Sequence, residues 1–348
     1  MKVLFVGLGS IGQRHLRNLF KLLPDGFEAI AYRTTRLAPL ILESGEVRGD
    51  IDVAKHYGIT EFDSMEQALR EKPNFVIVCN PNSLHMPIAR AAVDSGCDLF
   101  IEKPLSHEMT GVRNLQREVE DRKLVVGVGY QYRFHPGVQL AKRWLNDGLI
   151  GNLVSADFVN GEYMPAWHPW EDYRQTYGAR RELGGGATLS QIHEMDLAYW
   201  FFGMPSAVYA VGGHLSRLEM NVEDSVTALF RMNASNGAVP VTVHLDYLQS
   251  PPERSCRIVG DKGRIVWSEY AGTTSLELIE GEGSDHRVFE NFERNEMFLS
   301  EMADFLVSMK TREAPKVGLQ EAIASLTMAM KAKESIQTGD RVLFNSTG

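Results

Sequence analysis

The 348-residue chain has little cysteine, no long apolar run and no excess of positive charge. Its three cysteines, Cys79, Cys97 and Cys256, are odd in number and far apart, with no CxxC pair. That pattern excludes a disulfide framework and a cysteine zinc site, and a reducing cytoplasm is expected. No stretch approaches the roughly 20 apolar residues of a membrane span. The apolar start, Met1–Val6, is interrupted by Gly7 and Gly9 before it reaches the length of a secretory signal. Acidic residues number 45 against 36 basic ones, a formal net charge of −9, which argues against a nucleic-acid partner. GxSxG and Walker A patterns are missing, so a serine-hydrolase or P-loop reading has no support. Internal repeats and low-complexity linkers are missing too. With 44% hydrophobic and 23% charged residues, the composition is that of ordinary globular proteins, and the length suggests two domains.

Residues 3 to about 125 alternate short apolar runs with helical periodicity. Val3–Val6 reads as a buried strand, and Leu16, Leu19, Phe20 and Leu23 then mark one face of a helix. Strands are predicted at 29–32, 75–79, 99–101 and 124–128. Ser64 with Gln67 makes a capping box, and Ser106 is expected to cap a helix running to about Glu120. Such alternation predicts parallel βαβ units in a doubly wound sheet, a Rossmann domain over residues 1–124. The segment 37–50 has no clear period. From 125 to 348 the texture changes. Val226, Ala228 and Phe230 alternate with polar neighbours, and Val239 to Tyr247 does so for longer. Asn236-Gly237 between these runs is a hairpin signal. This half is expected to be an α/β domain with an open, mainly antiparallel sheet, a helix at 193–202 and two C-terminal helices packing back toward the first domain.

Gly7-Leu8-Gly9-Ser10-Ile11-Gly12 follows the first strand and opens the first helix. Glycines there permit a tight turn and close backbone approach to a pyrophosphate seated at the helix N-terminus. Chains that bind NAD usually place a carboxylate about 20 residues on, to hold the ribose 2′-hydroxyl. This chain has Arg33, Thr34, Thr35 and Arg36 instead. Two arginines with a threonine hydroxyl suit a 2′-phosphate, so NADP is expected in preference to NAD. The next strand ends carry Asn80-Pro81-Asn82-Ser83-Leu84-His85 and Glu102-Lys103-Pro104, and ligands of open α/β sheets bind beyond such ends.

With these motifs in order, and with Gly129-Tyr130-Gln131-Tyr132-Arg133 and Gly184-Gly185-Gly186 before His193-x-x-Asp196, the chain resembles the Gfo/Idh/MocA family of NAD(P)-dependent oxidoreductases over nearly its whole length. The resemblance implies cofactor contacts from Asn80, Pro81, Asn82, His85, Glu102 and Lys103, and a catalytic Lys103 near the nicotinamide and the reacting oxygen. An ammonium there stabilises the oxygen that gains charge during hydride transfer. His193 matches the position that exchanges the substrate's hydroxyl proton, a role suited to an imidazole.

Tyr130, Arg133, Trp167, Trp170, Asp172, Tyr173 and Gln191, together with His193, are the implied substrate residues, and aromatic faces with carboxylates and arginine suit a sugar. Many members carry an aspartate three or four residues before this histidine. Here Leu189 and Ser190 stand there, so the carboxylate is missing unless Asp172 supplies it. His193-Glu194-x-Asp196 lacks the paired histidines of HExxH, and no metal is expected. The expected activity is hydride transfer between nicotinamide and a sugar, sugar derivative or nucleotide-sugar hydroxyl or ketone. The alternatives are a glycosidase using a transient oxidation and a non-catalytic NADP sensor. A homodimer or homotetramer through the C-terminal sheet is also implied.

Overall fold

Short runs that are apolar on both sides become central strands only where helices cover both faces of a sheet. The computed structural model describes residues 1–34, 39–279 and 283–344, and counts of strands and helices refer to those residues. The first elements are β1 (Lys2–Val6), α1 (Ser10–Leu22), β2 (Glu28–Tyr32), β3 (Pro39–Ile41), β4 (Val47–Asp52), α2 (Val53–Tyr57) and β5 (Thr60–Phe62). They are followed by α3 (Met65–Arg70), β6 (Phe75–Val78), α4 (His85–Asp94), β7 (Asp98–Glu102), α5 (Val112–Arg122) and β8 (Val126–Gly129). Next come α6 (Pro136–Asn146), β9 (Leu153–Gly161), α7 (Ala187–Ser190), α8 (His193–Phe202), β10 (Ala207–Gly213), β11 (Ser225–Ala234) and β12 (Gly237–Asp246). The remainder is β13 (Glu253–Gly260), β14 (Gly263–Ser268), β15 (Thr273–Leu278), β16 (Asp285–Val288), α9 (Asn295–Thr311), α10 (Leu319–Thr338) and β17 (Val342–Leu343). No helix among the described residues is long and apolar enough to cross a membrane.

The chain forms two compact units, Met1–Tyr130 with Phe298–Ala322, and Gln131–Met297 with Ile323–Gly348. In the first, six strands lie in the order β5-β2-β1-β6-β7-β8, every neighbouring pair parallel. β8 pairs with β7 from Leu99↔Val126 to Glu102↔Gly129, which carries the unit past the 124/125 division that periodicity suggests. The core gathers Val3, Phe5, Leu16, Phe75, Ile77 and Phe100 with Met302 and Phe305 of α9. Phe305 meets Phe75 and Phe100 edge-on at 5.4 and 5.5 Å. A side chain at Gly127 would start 2.9 Å from the Phe305 ring, so that glycine makes its room. Arg312, just beyond α9, holds Asp98 through two bonds of 2.6 and 3.0 Å, and Asp98 also accepts from the Val125 amide.

Two expectations change here. Ser106 does not cap α5. It accepts from the Glu108 amide in a turn, and the helix starts only after Gly111, whose φ of +77° breaks any earlier helical run. The patternless 37–50 segment contains the hairpin β3–β4, while residues 37 and 38 lie outside the described residues.

The second unit is built on nine strands in the order β16-β15-β14-β13-β9-β12-β11-β10-β17. All neighbours are antiparallel except β9 and β12. Val226, Ala228 and Phe230 of β11 and Val241, Val243 and Leu245 of β12 fill one buried face, as their alternation requires. Ala234 pairs with Gly237, so the β11–β12 turn residues are Ser235-Asn236. Phe201 of α8 meets Phe158 of β9 edge-on at 6.0 Å.

Because Phe305 completes the first unit's core, Phe305→Ala should cost about 3–5 kcal/mol by loss of contacts and a residual cavity. The check is the denaturant midpoint of the first unit, and an unchanged midpoint would show that α9 is not part of its core.

Candidate active site

The glycine turn after β1 is shaped by two close approaches. Gly7 has φ of +96°, and a Cβ there would lie 2.7 Å from the Cys79 carbonyl oxygen. A Cβ on Gly12 would lie 2.4 Å from the Gly7 carbonyl oxygen. The ends of β1 and β6 therefore meet backbone to backbone, where the strand order reverses. Gly9 differs, since open space surrounds its Cβ position. It is the N-cap of α1, has no side-chain cap, and is followed by Ser10 and Ile11 in the first turn. Uncapped amides at a helix N-terminus beside an open glycine suit a pyrophosphate. The turn fits a dinucleotide, with Gly7, Gly9, Ser10, Ile11 and Gly12 as the residues that would hold it.

β6 leads into Asn80, Pro81 and a short turn, Asn82–Leu84, before α4 opens at His85. Asn80 Oδ1 is buried and has no partner among the described residues, which leaves an acceptor for a ligand. His85 is fully buried, its Nδ1 2.7 Å from the Pro104 carbonyl and its Nε2 2.9 Å from the Asn80 carbonyl. Burial lowers its pKa. The ring thus braces the Asn80 loop against the loop of Lys103 and Pro104 instead of presenting itself to a cofactor. Lys103 is partly exposed directly after β7, and its amide donates to Glu102 Oε2 at 3.2 Å.

Behind this strand end lies a cluster that sequence reasoning missed. His15 Nε2 of α1 is 2.6 Å from Glu102 Oε1, and Glu301 of α9 joins them, each of the three offering an atom within 4.8 Å of the others. All are buried, and neither Glu301 oxygen has a hydrogen-bond partner among the described residues. Burial first, and the Glu102 charge second, push the Glu301 carboxyl well above the usual range. One proton on Glu301 removes the conflict between two buried carboxylates. The signal was present in the periodicity, since Phe298, Glu301, Met302 and Phe305 fall at i, i+3, i+4 and i+7, an acid on an apolar face.

The second unit holds the other half of the predicted set. Gly184-Gly185-Gly186 folds against Gly178: a Cβ on Gly185 would lie 2.5 Å from the Gly178 carbonyl oxygen, which accepts from the Gly186 amide. This tight turn delivers α7 and then His193, the first residue of α8. His193 is buried, with Gln131 Nε2 3.4 Å from its Nε2 and the Tyr132 ring edge-on at 5.1 Å. A Gln131 amide donating there leaves His193 Nε2 as the unprotonated acceptor.

Tyr132 is fixed in turn by Arg254, whose guanidinium lies 4.2 Å from the ring centroid and is 2.7 Å from Glu194 Oε1. Burial raises the Glu194 pKa, against the pull of Arg254. Arg254, Tyr132, Glu194 and Gln131 form the support of His193, and none was expected from sequence as such.

Several expected substrate contacts have other partners. Arg133 grips Asp196 through bonds of 2.8 and 2.7 Å, both groups buried, and Ser325 adds a third bond to Asp196. Arg133 and Asp196 are thus engaged with each other, away from the His193 ring nitrogens. Asp172 is exposed, held by Arg174 and capping a turn, so it does not replace the carboxylate missing at Leu189 and Ser190. Tyr173 Oη accepts from the Glu219 amide at 3.0 Å, and Trp170 stacks on His168 at 5.1 Å. Trp167 packs edge-on against Tyr247, its buried Nε1 without a partner among the described residues. Gln191 donates to the Asp246 carbonyl, and its buried Oε1 has no partner among the described residues. Tyr130 is fully buried in the first unit. Arg36 lies outside the described residues, and Thr34 is exposed beyond β2. Arg33 is not the open cation expected, because Glu61 engages it.

The raised Glu301 pKa has a stability consequence. A carboxyl that keeps its proton in the folded state, and loses it near 4.5 when unfolded, takes stability away as pH rises above that value. Glu301→Gln removes the penalty. Relative to wild type, its melting temperature should rise from pH 5 to pH 8, and a Gln variant equally destabilised at both would show that Glu301 is ionised.

Comparison with known proteins agrees with this architecture. Residues 1–130 match the model of an oxidoreductase family with an NAD-binding Rossmann fold, and residues 138–266 match the GFO/IDH/MocA C-terminal domain. The chain is 26% identical over 344 residues to myo-inositol 2-dehydrogenase of Thermotoga maritima, covering 97% of this chain and 96% of that one. It is 29% identical over 210 residues to 2,7-anhydro-N-acetylneuraminate hydratase of Mediterraneibacter gnavus, covering 59% of this chain and 54% of the relative. Among solved structures, levoglucosan dehydrogenase in complex with NADH and levoglucosan superposes with a TM-score of 0.82 at 19% identity, over 99% of each chain. With both of its domains matched in order by the family's own models, the chain belongs to the Gfo/Idh/MocA oxidoreductases.

Proposed function

We propose that the chain is a nicotinamide-dependent dehydrogenase that moves a hydride between NAD(H) and a secondary hydroxyl or ketone of a sugar, sugar derivative or cyclitol. The observation that carries the reading is Lys103, partly exposed at the end of β7 in the same sheet as the uncapped glycine turn. Bound NAD would supply the hydride acceptor. Lys103 then donates a hydrogen bond to the oxygen on which charge develops, with its strand end fixed from behind by Glu102 and His15. His193 takes or returns the hydroxyl proton, and Gln131 and Tyr132 hold the ring. Trp167 Nε1 and Gln191 Oε1, both buried and without a partner among the described residues, supply polar contacts for substrate hydroxyls. Three free thiols, each well separated in sequence, support a reducing compartment.

The test is a panel of sugars, cyclitols, sugar acids and nucleotide sugars followed at 340 nm. Lys103→Ala should lower turnover about 10²-fold or more, and near-wild-type rates would remove Lys103 from the mechanism. The relative named as a hydratase favours one second reading, since hydration changes no net oxidation state. Product formation with no net change in NADH absorbance would establish that transient-oxidation reading instead.

The polar-side face of the large sheet supports assembly. Tyr209, Val211 and Leu229 are exposed there, Tyr209 and Leu229 as register partners. A face of this kind suits a second copy of the chain. Leu229→Arg should lower the mass seen by light scattering from an oligomer to a monomer; a wild-type protein already monomeric would refute the assembly.

A further inference from the structure

The end of β2 is where a Rossmann chain decides between a ribose 2′-hydroxyl and a 2′-phosphate. The Arg33 amide donates to the Phe62 carbonyl at 3.0 Å, which extends the β2–β5 register Ala31↔Glu61 and Tyr32↔Phe62. Residues two apart on a strand share a face. Arg33 therefore lies on the side of the sheet that Ala31 and Glu61 occupy. Arg33 Nη1 is 2.6 Å from Glu61 Oε1, the arginine side chain 4% exposed and the glutamate 19%. Arg33 Nη2 is buried with no partner among the described residues. A second carboxylate is within electrostatic range. Asp52 caps α2, and its pKa is lowered by the Lys55 amide first and by Arg33 among weaker charges.

We infer that Glu61, supplied by the neighbouring strand, is the cofactor-selecting carboxylate of this chain, and that it sets the preference to NAD by occupying Arg33. The inference rests on the dinucleotide reading of the preceding subsection. A 2′-phosphate seeking Arg33 meets a charge already neutralised in a mostly buried pair. Sharing Arg33 with Glu61 places two anions together, and displacing Glu61 leaves a partly buried carboxylate without its partner. A ribose 2′-hydroxyl is neutral and can donate to a carboxylate, so NAD meets neither obstacle. The arginine that marks NADP in the sequence thus becomes, by its pairing, part of the barrier to NADP.

The test measures dissociation constants of NADH and NADPH by fluorescence titration for the wild type, Glu61→Gln, and Glu61→Gln combined with Arg33→Ala. The wild type should bind NADH at least tenfold tighter. Glu61→Gln, isosteric and uncharged, should narrow that ratio at least tenfold, chiefly by tighter NADPH binding, and the added Arg33→Ala should abolish that gain. Wild-type binding of NADPH as tight as NADH, or an unchanged ratio in Glu61→Gln, overturns the inference while leaving the dehydrogenase reading in place. If neither nucleotide binds wild type, the dinucleotide reading itself fails, and this inference with it. The wild-type ratio needs no variant, so a poorly folded Glu61→Gln protein does not protect the inference.

Discussion

The first unit depends on one constraint, the backbone contact between the ends of β1 and β6. Strand order reverses there, so the two connections leave in opposite directions and open a crevice at the carboxyl end of the sheet. Gly7 against the Cys79 carbonyl closes the floor of that crevice, and no Cβ fits in the gap. Gly12 then lets α1 sit tightly on its own turn. The uncapped helix end, the Asn80 loop and the Lys103 loop all take their positions from this approach. His85 ties the last two together through carbonyls on each.

Charge is handled locally throughout. The net −9 describes a solvated surface, whereas the groups near the candidate site are buried and individually matched. His15 faces Glu102, Arg254 faces Glu194, Arg133 faces Asp196 and Arg33 faces Glu61. Each arginine–carboxylate pair removes two ions from water, a cost recovered only by close geometry and further hydrogen bonds. The benefit is orientation: His15 backs Glu102, the residue before Lys103, and Arg254 with Glu194 backs the ring that touches His193.

Much of this was legible from residues 2–130. Periodicities of two and 3.6 found the central strands, and the glycine turn was readable because strand, turn and helix stood together in order. The helix at 193–202 and both C-terminal helices were also visible. What failed was tertiary. Arg33 and Arg133 read as ligand-binding cations, since nothing local names the distant carboxylate that claims each one. Asp196 pairs with a residue in the turn before α6, and Arg33 pairs with one on another strand. The hairpin β3–β4 escaped because β4 is exposed along much of its length and carries no apolar alternation. Glu301 escaped for the opposite reason: its helix was clear, and an acid on the apolar face was passed over as surface.

The division of the chain has a consequence for biosynthesis. Met302 and Phe305 belong to the hydrophobic core of a unit whose other members are nearly all drawn from the first 125 residues. A ribosome delivers the chain from its amino end, and domains usually fold as they emerge. Here the nascent Rossmann sheet must wait with an incomplete core while the whole intervening sheet domain is translated. The domain written first therefore cannot be finished until α9 has emerged, and its Phe75 and Phe100 face is the surface a nascent chain must keep from aggregating until then.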